Sequence, residues 1–243
     1  MFNTADIPKG DAPSPDWADA AEQRVLDAAL VLIGGSYRLW GAGLAAEAAK
    51  IAGLSPAEAG LLLPGGPEDL AALLSRRHDA RALDKLLALG AATPIKIRDK
   101  IRTGVQVRID VAMADELAVR RAGLFLARPD HAALALSLAW ESADCLWRWA
   151  GDSATDENYY SKRAILAGVL VSTLAVRLAA GADRAEAYLL ARLENVMAFE
   201  TWKARSPQPA DMLMAAAGWL GRLRYGPGSA ETKISPAEMG EGA

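Results

Sequence analysis

One stretch of this sequence alternates like a β-strand, and it has nothing to pair with. In "PIKIRDKIRTGVQVRI" (94–109), Ile95, Ile97, Ile101, Val105, Val107 and Ile109 alternate with polar residues, the two-residue period of a half-buried strand. A lone strand leaves its backbone groups unpaired and is not stable in water. Ile97, Ile101 and Val105 also form a helical stripe, so the segment is expected to be a helix. Elsewhere Ala, Leu, Arg and Glu dominate and β-branched runs are few. The expected fold class is therefore all-α.

Capping signals divide the chain into helices. The periodicity predicts them at about 17–33, 42–52, 56–63, from Pro67 onward, and at about 112–127, 129–150, 156–180, 184–204 and 209–225. Ser55-Pro56-Ala57-Glu58 reads as a capping box with Pro at the first helical position. Asp183 with Glu186, just after Gly181, reads as a second reciprocal cap. Residues 1–16 and 226–243, rich in Pro, Gly and small polar residues, are expected as disordered tails. Between them the expected organisation is a helix-turn-helix-like subdomain at 17–75, a helical ligand-binding bundle at 76–206 and an amphipathic helix at 207–225. No apolar run approaches the roughly 20 residues of a membrane span. The longest, Ala164–Val176, has 13.

Catalytic constellations are scarce. The chain lacks a GxSxG elbow, a phosphate-binding loop, a CxxC pair and an HExxH motif. His78 and His131 stand among charged neighbours and read as solvated helix residues. The one cysteine, Cys145, reads as core and excludes an internal disulfide framework. No metal ligand set and no cofactor are expected, and the chain reads as a non-enzyme.

The stretch "GLSPAEAGLLLPGGPEDL" (53–70) has the cadence of a helix-turn-helix without its charges. DNA affinity rests on Lys and Arg at phosphates. Across 41–72 the only base is Lys50, against Glu47, Glu58, Glu68 and Asp69. No nucleic acid is expected to bind there. The spacing resembles the DNA-binding unit of Tet-repressor-type regulators, with the reading function lost.

The segment "AGDSATDENYYSKRAIL", preceded by "IRDKIRTGVQVRI" and followed by "LENVMAFETWKA", resembles the ubiquinone (coenzyme Q) biosynthesis accessory family, the ninth coenzyme Q biosynthesis protein. The likeness extends over roughly 17–225. It implies a Tet-repressor-like helical fold that binds an isoprenoid quinone intermediate or a phospholipid in an apolar pocket. It also implies presentation of that lipid to demethoxyubiquinone hydroxylase or another enzyme of the pathway. Carried over residue by residue, the partner-facing patch is Asp156, Asn158, Tyr159, Tyr160 and Arg163. Tyr159 stands where the family commonly has Trp, and Glu157 where an apolar aromatic is common, which makes this patch more polar.

A lipid cavity would draw its walls from Trp140, Leu146, Trp147, Leu166, Leu170, Leu174, Leu193 and Met197, each of which also fits an ordinary packed core. In "PADMLMAAAGWLGRLRYG", Met212, Trp219, Leu220 and Leu223 share one helical arc, flanked by Arg222 and Arg224. An apolar arc edged by arginines suits a helix lying in a bilayer interface. It equally suits packing on the bundle or on a second copy, as a homodimer. The expected location is the inner face of a bacterial cytoplasmic membrane, since the first residues show no presequence. Two other readings stay open: a ligand-responsive transcription regulator, and a structural scaffold with no ligand.

Overall fold

The computed structural model describes residues 15–35, 39–94, 96–152 and 157–205; of the side chains of 15–16, 157–158 and 196–205 nothing is said. The helices are α1 (Pro15–Gly34), α2 (Ala42–Ile51), α3 (Pro56–Leu62), α4 (Pro67–Leu87), α5 (Ile97–Met113), α6 (Glu116–Leu126), α7 (Ala132–Ala150), α8 (Glu157–Ala180) and α9 (Ala182–Arg205), with 3₁₀ turns at Gly90–Ala92 and Pro129–His131. Among the described residues there is no strand. The chain through Glu194 forms one compact unit; beyond it the described residues are the last turns of α9.

The ambiguous stretch is helical because its i, i+4 stripe finds a core to face. Ile101, Val105 and Ile109 are nearly sealed from solvent, whereas Ile97 is 48% exposed. The predicted cap at Ser55 is present in full. The Ser55 hydroxyl accepts from the Glu58 backbone N–H at 3.3 Å, and the Glu58 carboxylate accepts from the Ser55 N–H at 2.8 Å. The Ser55 hydroxyl, which also donates to that carboxylate at 2.7 Å, and then the Ser55 N–H hold the Glu58 carboxyl below its ordinary value. The second predicted cap is not formed as expected. α9 starts at Ala182, so Asp183 lies inside its first turn rather than at the cap position. α6 also starts later than expected, at Glu116, because the chain bends at Ala114-Asp115.

Two apolar cores organise the unit. The first gathers Leu26, Ala29, Leu44, Leu70 and Leu74 from α1, α2 and α4 and recruits Phe125 from α6. The second gathers Leu86, Ile101, Val105, Leu146, Leu166 and Leu189 from α4, α5, α7, α8 and α9. α4 runs unbroken through both, and α6 closes the first from the far side. The turn into α4 is pinned where the Trp40 indole N–H donates to the Pro67 carbonyl at 2.9 Å.

Charged groups stitch these helices from within, and here two sequence expectations are corrected. His78 and His131 are not solvated; they are 2% and 8% exposed. His78 lies 2.9 Å from an Asp115 carboxylate oxygen, and His131 stacks on Phe125 with ring centroids 3.9 Å apart. What buries them is tertiary, Asp115 against His78 and Phe125 against His131, and sequence neighbours do not reveal it. Arg77 is also buried and donates to Asp27 at 2.6 Å, which ties α4 to α1.

Candidate functional site

Two features of the described residues concentrate chemistry, and both involve α7 and α8. The first is the corner between these helices. α7 stops at Gly151, whose φ of +91° lies in the left-handed region that favours glycine. Around it the Asp152 N–H reaches back to the Trp147 carbonyl at 3.0 Å and the Gly151 N–H to Arg148 at 3.0 Å, a Schellman closure. This turn carries Asp152 to a point where α8 can meet it.

There Arg163 is 1% exposed. Its Nε donates to Asp144 at 2.5 Å, and its Nη1 donates to Asp152 and to the Tyr159 carbonyl, each at 3.2 Å. The guanidinium carbon lies 3.4 Å from the Tyr159 ring centroid. Burial pulls the Arg163 pKa down, but the bonds to Asp144 and Asp152 outweigh it and hold it above the ordinary guanidinium value. Asp152 shows the mirror effect. Burial raises its pKa, while Lys162 at 2.8 Å and Arg163 bring it below the ordinary carboxylate range. Gly151→Ala is expected to cost about 1–2 kcal/mol, because the new Cβ strains the left-handed residue; chemical denaturation measures it, and a loss below about 0.5 kcal/mol would mean the turn tolerates a Cβ.

The expected partner patch is thus split by depth. Arg163 is corrected from a surface residue to an interior one. Tyr159 is half-buried and donates to Asp144 at 3.3 Å. Tyr160 is 65% exposed. Asp156 lies outside the described residues, as does the side chain of Asn158. Trp140, expected as a cavity wall, instead joins Tyr160 and Tyr159, with centroids 6.1 and 6.5 Å away. Trp147 is half-buried against the second core, and its indole N–H donates to the Lys162 carbonyl at 3.1 Å. What faces solvent at this corner is an aromatic group resting on a neutralised ionic base.

The second feature is an apolar cavity of about 290 Å³, bordered by α6, α7 and α8 and floored by α4 and α5. Of the expected lipid residues, Leu170 and Leu174 line it. Leu146, Leu166 and Leu193 are packed into the second core instead, and the Met197 side chain lies outside the described residues. The walls the sequence reading missed are Leu138, Ala139, Leu126, Gly123, Ala135 and Val171. Small residues leave the space that large ones would fill, so a search for bulky apolar positions passes over them. A larger groove of about 400 Å³ between α5, α8 and α9 mixes Val107, Ile109 and Leu189 with Gln106, Asp110, Arg177 and Glu186, a more polar lining than that of the apolar cavity.

α8 itself is apolar and long. Within Tyr159–Ala180 an 18-residue window reaches a mean hydropathy of 1.7, enough by length and composition to cross a membrane. It nevertheless carries the buried Arg163 and contributes Leu166, Val169 and Leu170 to the protein interior. These features make it a helix of the bundle. The residues expected at the membrane, Met212, Trp219, Leu220, Arg222, Leu223 and Arg224, lie outside the described residues. The described residues hold no group of His, Cys, Asp and Glu suited to a metal ion.

Residues 132–200 match the sequence model of the COQ9 family, a span that begins at the first residue of α7 and runs through α8 into α9. The chain is 31% identical over 157 residues to "Ubiquinone biosynthesis protein COQ9, mitochondrial" of Rattus norvegicus, covering 63% of this chain and 50% of that one. Its likeness to the Homo sapiens protein of the same name is also 31%, covering 63% and 49%. To "Ubiquinone biosynthesis protein COQ9-B, mitochondrial" of Xenopus laevis it is 30% identical, covering 65% and 55%. The chain spans about half the length of these curated relatives.

Proposed function

From a chain similar to the COQ9 proteins, with a COQ9-family segment at 132–200, we propose a non-enzymatic accessory protein of ubiquinone biosynthesis that holds an isoprenoid quinone intermediate and presents it at a membrane to a hydroxylase. The observation that carries this reading is the apolar cavity, whose α7 and α8 walls lie inside the span that matches the family. At about 290 Å³ it is at the small end of ligand pockets, which run from about 300 to 1,000 Å³. It suits a head group and the first part of a tail, with the remainder leaving past Val171, which is 54% exposed.

Burying apolar area gains roughly 25 cal/mol per Å² relative to water, but relative to a bilayer that gain largely vanishes. Such a protein presents its lipid at the membrane rather than ferrying it through solvent. The terminal arc from Met212 to Arg224 would supply the membrane contact, on the inner face of a bacterial cytoplasmic membrane. Tyr160 and Trp140 would meet the hydroxylase, and a homodimer is the proposed assembly. The acidic helix-turn-helix-like segment supports no role on DNA: α3 carries Glu58 and no base.

Organic extraction of the purified protein followed by lipid mass spectrometry tests the reading. An isoprenoid quinone-type lipid at a sizeable fraction of one per chain is the expected result. Recovery of no isoprenoid would leave the scaffold reading in its place.

A further inference from the structure

The apolar cavity has one polar wall, built from Arg108, Ser75 and Ser142. Arg108 is 7% exposed. Its Nε donates to Asp79 at 2.5 Å, and its Nη2 donates to the carbonyl and hydroxyl of Ser75 at 3.2 and 3.3 Å. The second Asp79 oxygen accepts from the Ser142 hydroxyl at 3.0 Å. Nη1 donates to no acceptor among the described residues. Yet no sealed side-chain polar atom there lacks a partner, so Nη1 keeps an open face, and the open space that Arg108 borders is the cavity.

We propose that Arg108 anchors a neutral acceptor oxygen of the guest, a quinone carbonyl or a phenol oxygen, at the polar wall of this cavity. The proposal rests on the lipid-presenting reading above and names the head group that reading leaves open. The charge balance sets the preference. Asp79 already neutralises Arg108 at close range, and the neighbouring His78 is held uncharged by its burial and by Arg108 itself. An anionic head would bring an unbalanced negative charge next to Asp79 in apolar surroundings, which is costly. A carbonyl oxygen requires one donor and brings no charge. A phenol can also donate to the Ser142 hydroxyl, which keeps acceptor capacity while donating to Asp79.

The far wall provides a way to block the site without touching this network. Gly123 lines the cavity, and a Cβ placed on it would meet nothing within 4 Å. Gly123→Phe therefore starts a side chain at the cavity's edge without a clash at Cβ and is expected to occupy the guest's space. Arg108→Lys keeps a cation for Asp79 but loses the planar fork of donors.

The test uses the full chain and three probes with alkyl tails of matched length, ten carbons in 6-decyl-2,3-dimethoxy-5-methyl-1,4-benzoquinone and decylbenzene and ten in decanoate with its carboxylate carbon counted, with binding measured by titration calorimetry. The quinone should bind at least about tenfold more tightly than decylbenzene, the scale of one charge-assisted hydrogen bond, and decanoate should be the weakest of the three. Gly123→Phe should abolish binding of all three. Arg108→Lys should weaken the quinone about tenfold and leave decylbenzene unchanged. Equal affinity for quinone and decylbenzene, or a decanoate that binds best, overturns the anchor while leaving an apolar lipid carrier standing. Binding of none of the probes by the parent protein overturns the carrier reading along with it. Should Arg108→Lys fail to fold, the quinone-to-decylbenzene ratio of the parent decides alone.

Discussion

Arg163→Met is expected to destabilise the protein by about 3–5 kcal/mol, the usual cost of removing one partner from a buried ion pair, and to lower the melting temperature by roughly 10 °C. Methionine fills much of the volume and leaves Asp144 and Asp152 facing an apolar side chain. Lys162 still reaches Asp152 at 2.8 Å and Arg148 still reaches Asp144 at 2.7 Å. Those two bases lie toward solvent, with the Arg148 side chain 71% exposed, so they screen the acids only in part. Tyr159 loses both the guanidinium over its ring and the group that fixes its carbonyl. Arg163→Lys should recover part of the loss by restoring charge without the fork. Thermal melts followed by circular dichroism provide the readout. A Met variant within about 1 kcal/mol of the parent would show that Asp144 and Asp152 are satisfied from outside the corner.

Acid should loosen the protein well above the range where its carboxylates titrate. His78 is held neutral, with a pKa lowered from 6.5 to about 4, by burial first and then by Arg108; the Asp115 hydrogen bond opposes this but does not overcome it. Between those two values the unfolded chain takes up a proton that the folded chain refuses, so stability falls as pH falls. The full difference is about 3 kcal/mol, present above the unfolded value of 6.5 and gone below about 4, with about 2 kcal/mol already lost by pH 5. Urea unfolding at pH 7, 6 and 5 measures the slope. His78→Gln keeps a side chain able to donate to Asp115 and removes the titration, so its stability should be nearly level across the same window. A parent protein equally stable at pH 7 and pH 5 would mean that His78 reaches solvent in the folded state.

Much of the architecture could be read from the residues because local signals agreed with tertiary ones. The Ser55–Glu58 box and the stripe through Ile101 and Val105 are short-range patterns, and the bundle preserved them. The burial of charge could not be read in this way. Arg77, His78 and Arg108 look like surface residues in sequence, and their partners Asp27, Asp115 and Asp79 are 50, 37 and 29 residues away. Arg163 misled for the same reason, since Asp144 belongs to the preceding helix and Asp152 to the turn beyond it. The cavity was legible only in part: Leu170 and Leu174 do border it, but Leu146, Leu166 and Leu193 pack in the core, and missing volume at Gly123, Ala135 and Ala139 helps to define it. The aromatic group was legible only in part: Tyr159 and Tyr160 were expected together at the start of α8, but Trp140, expected in the cavity wall, joins them from the helix before.

The inward-facing Arg163 also has a kinetic consequence for any molecule that docks at this corner. Association normally has to freeze mobile side chains, at roughly 0.5–1.5 kcal/mol for each one immobilised. Here Tyr159 is already clamped beneath Trp140 and Tyr160 before anything arrives, and its own neighbours set its rotamer. A docking surface ordered in advance gives up little entropy on contact, so its complexes should form quickly and report the fit of the incoming partner more than any rearrangement of this chain.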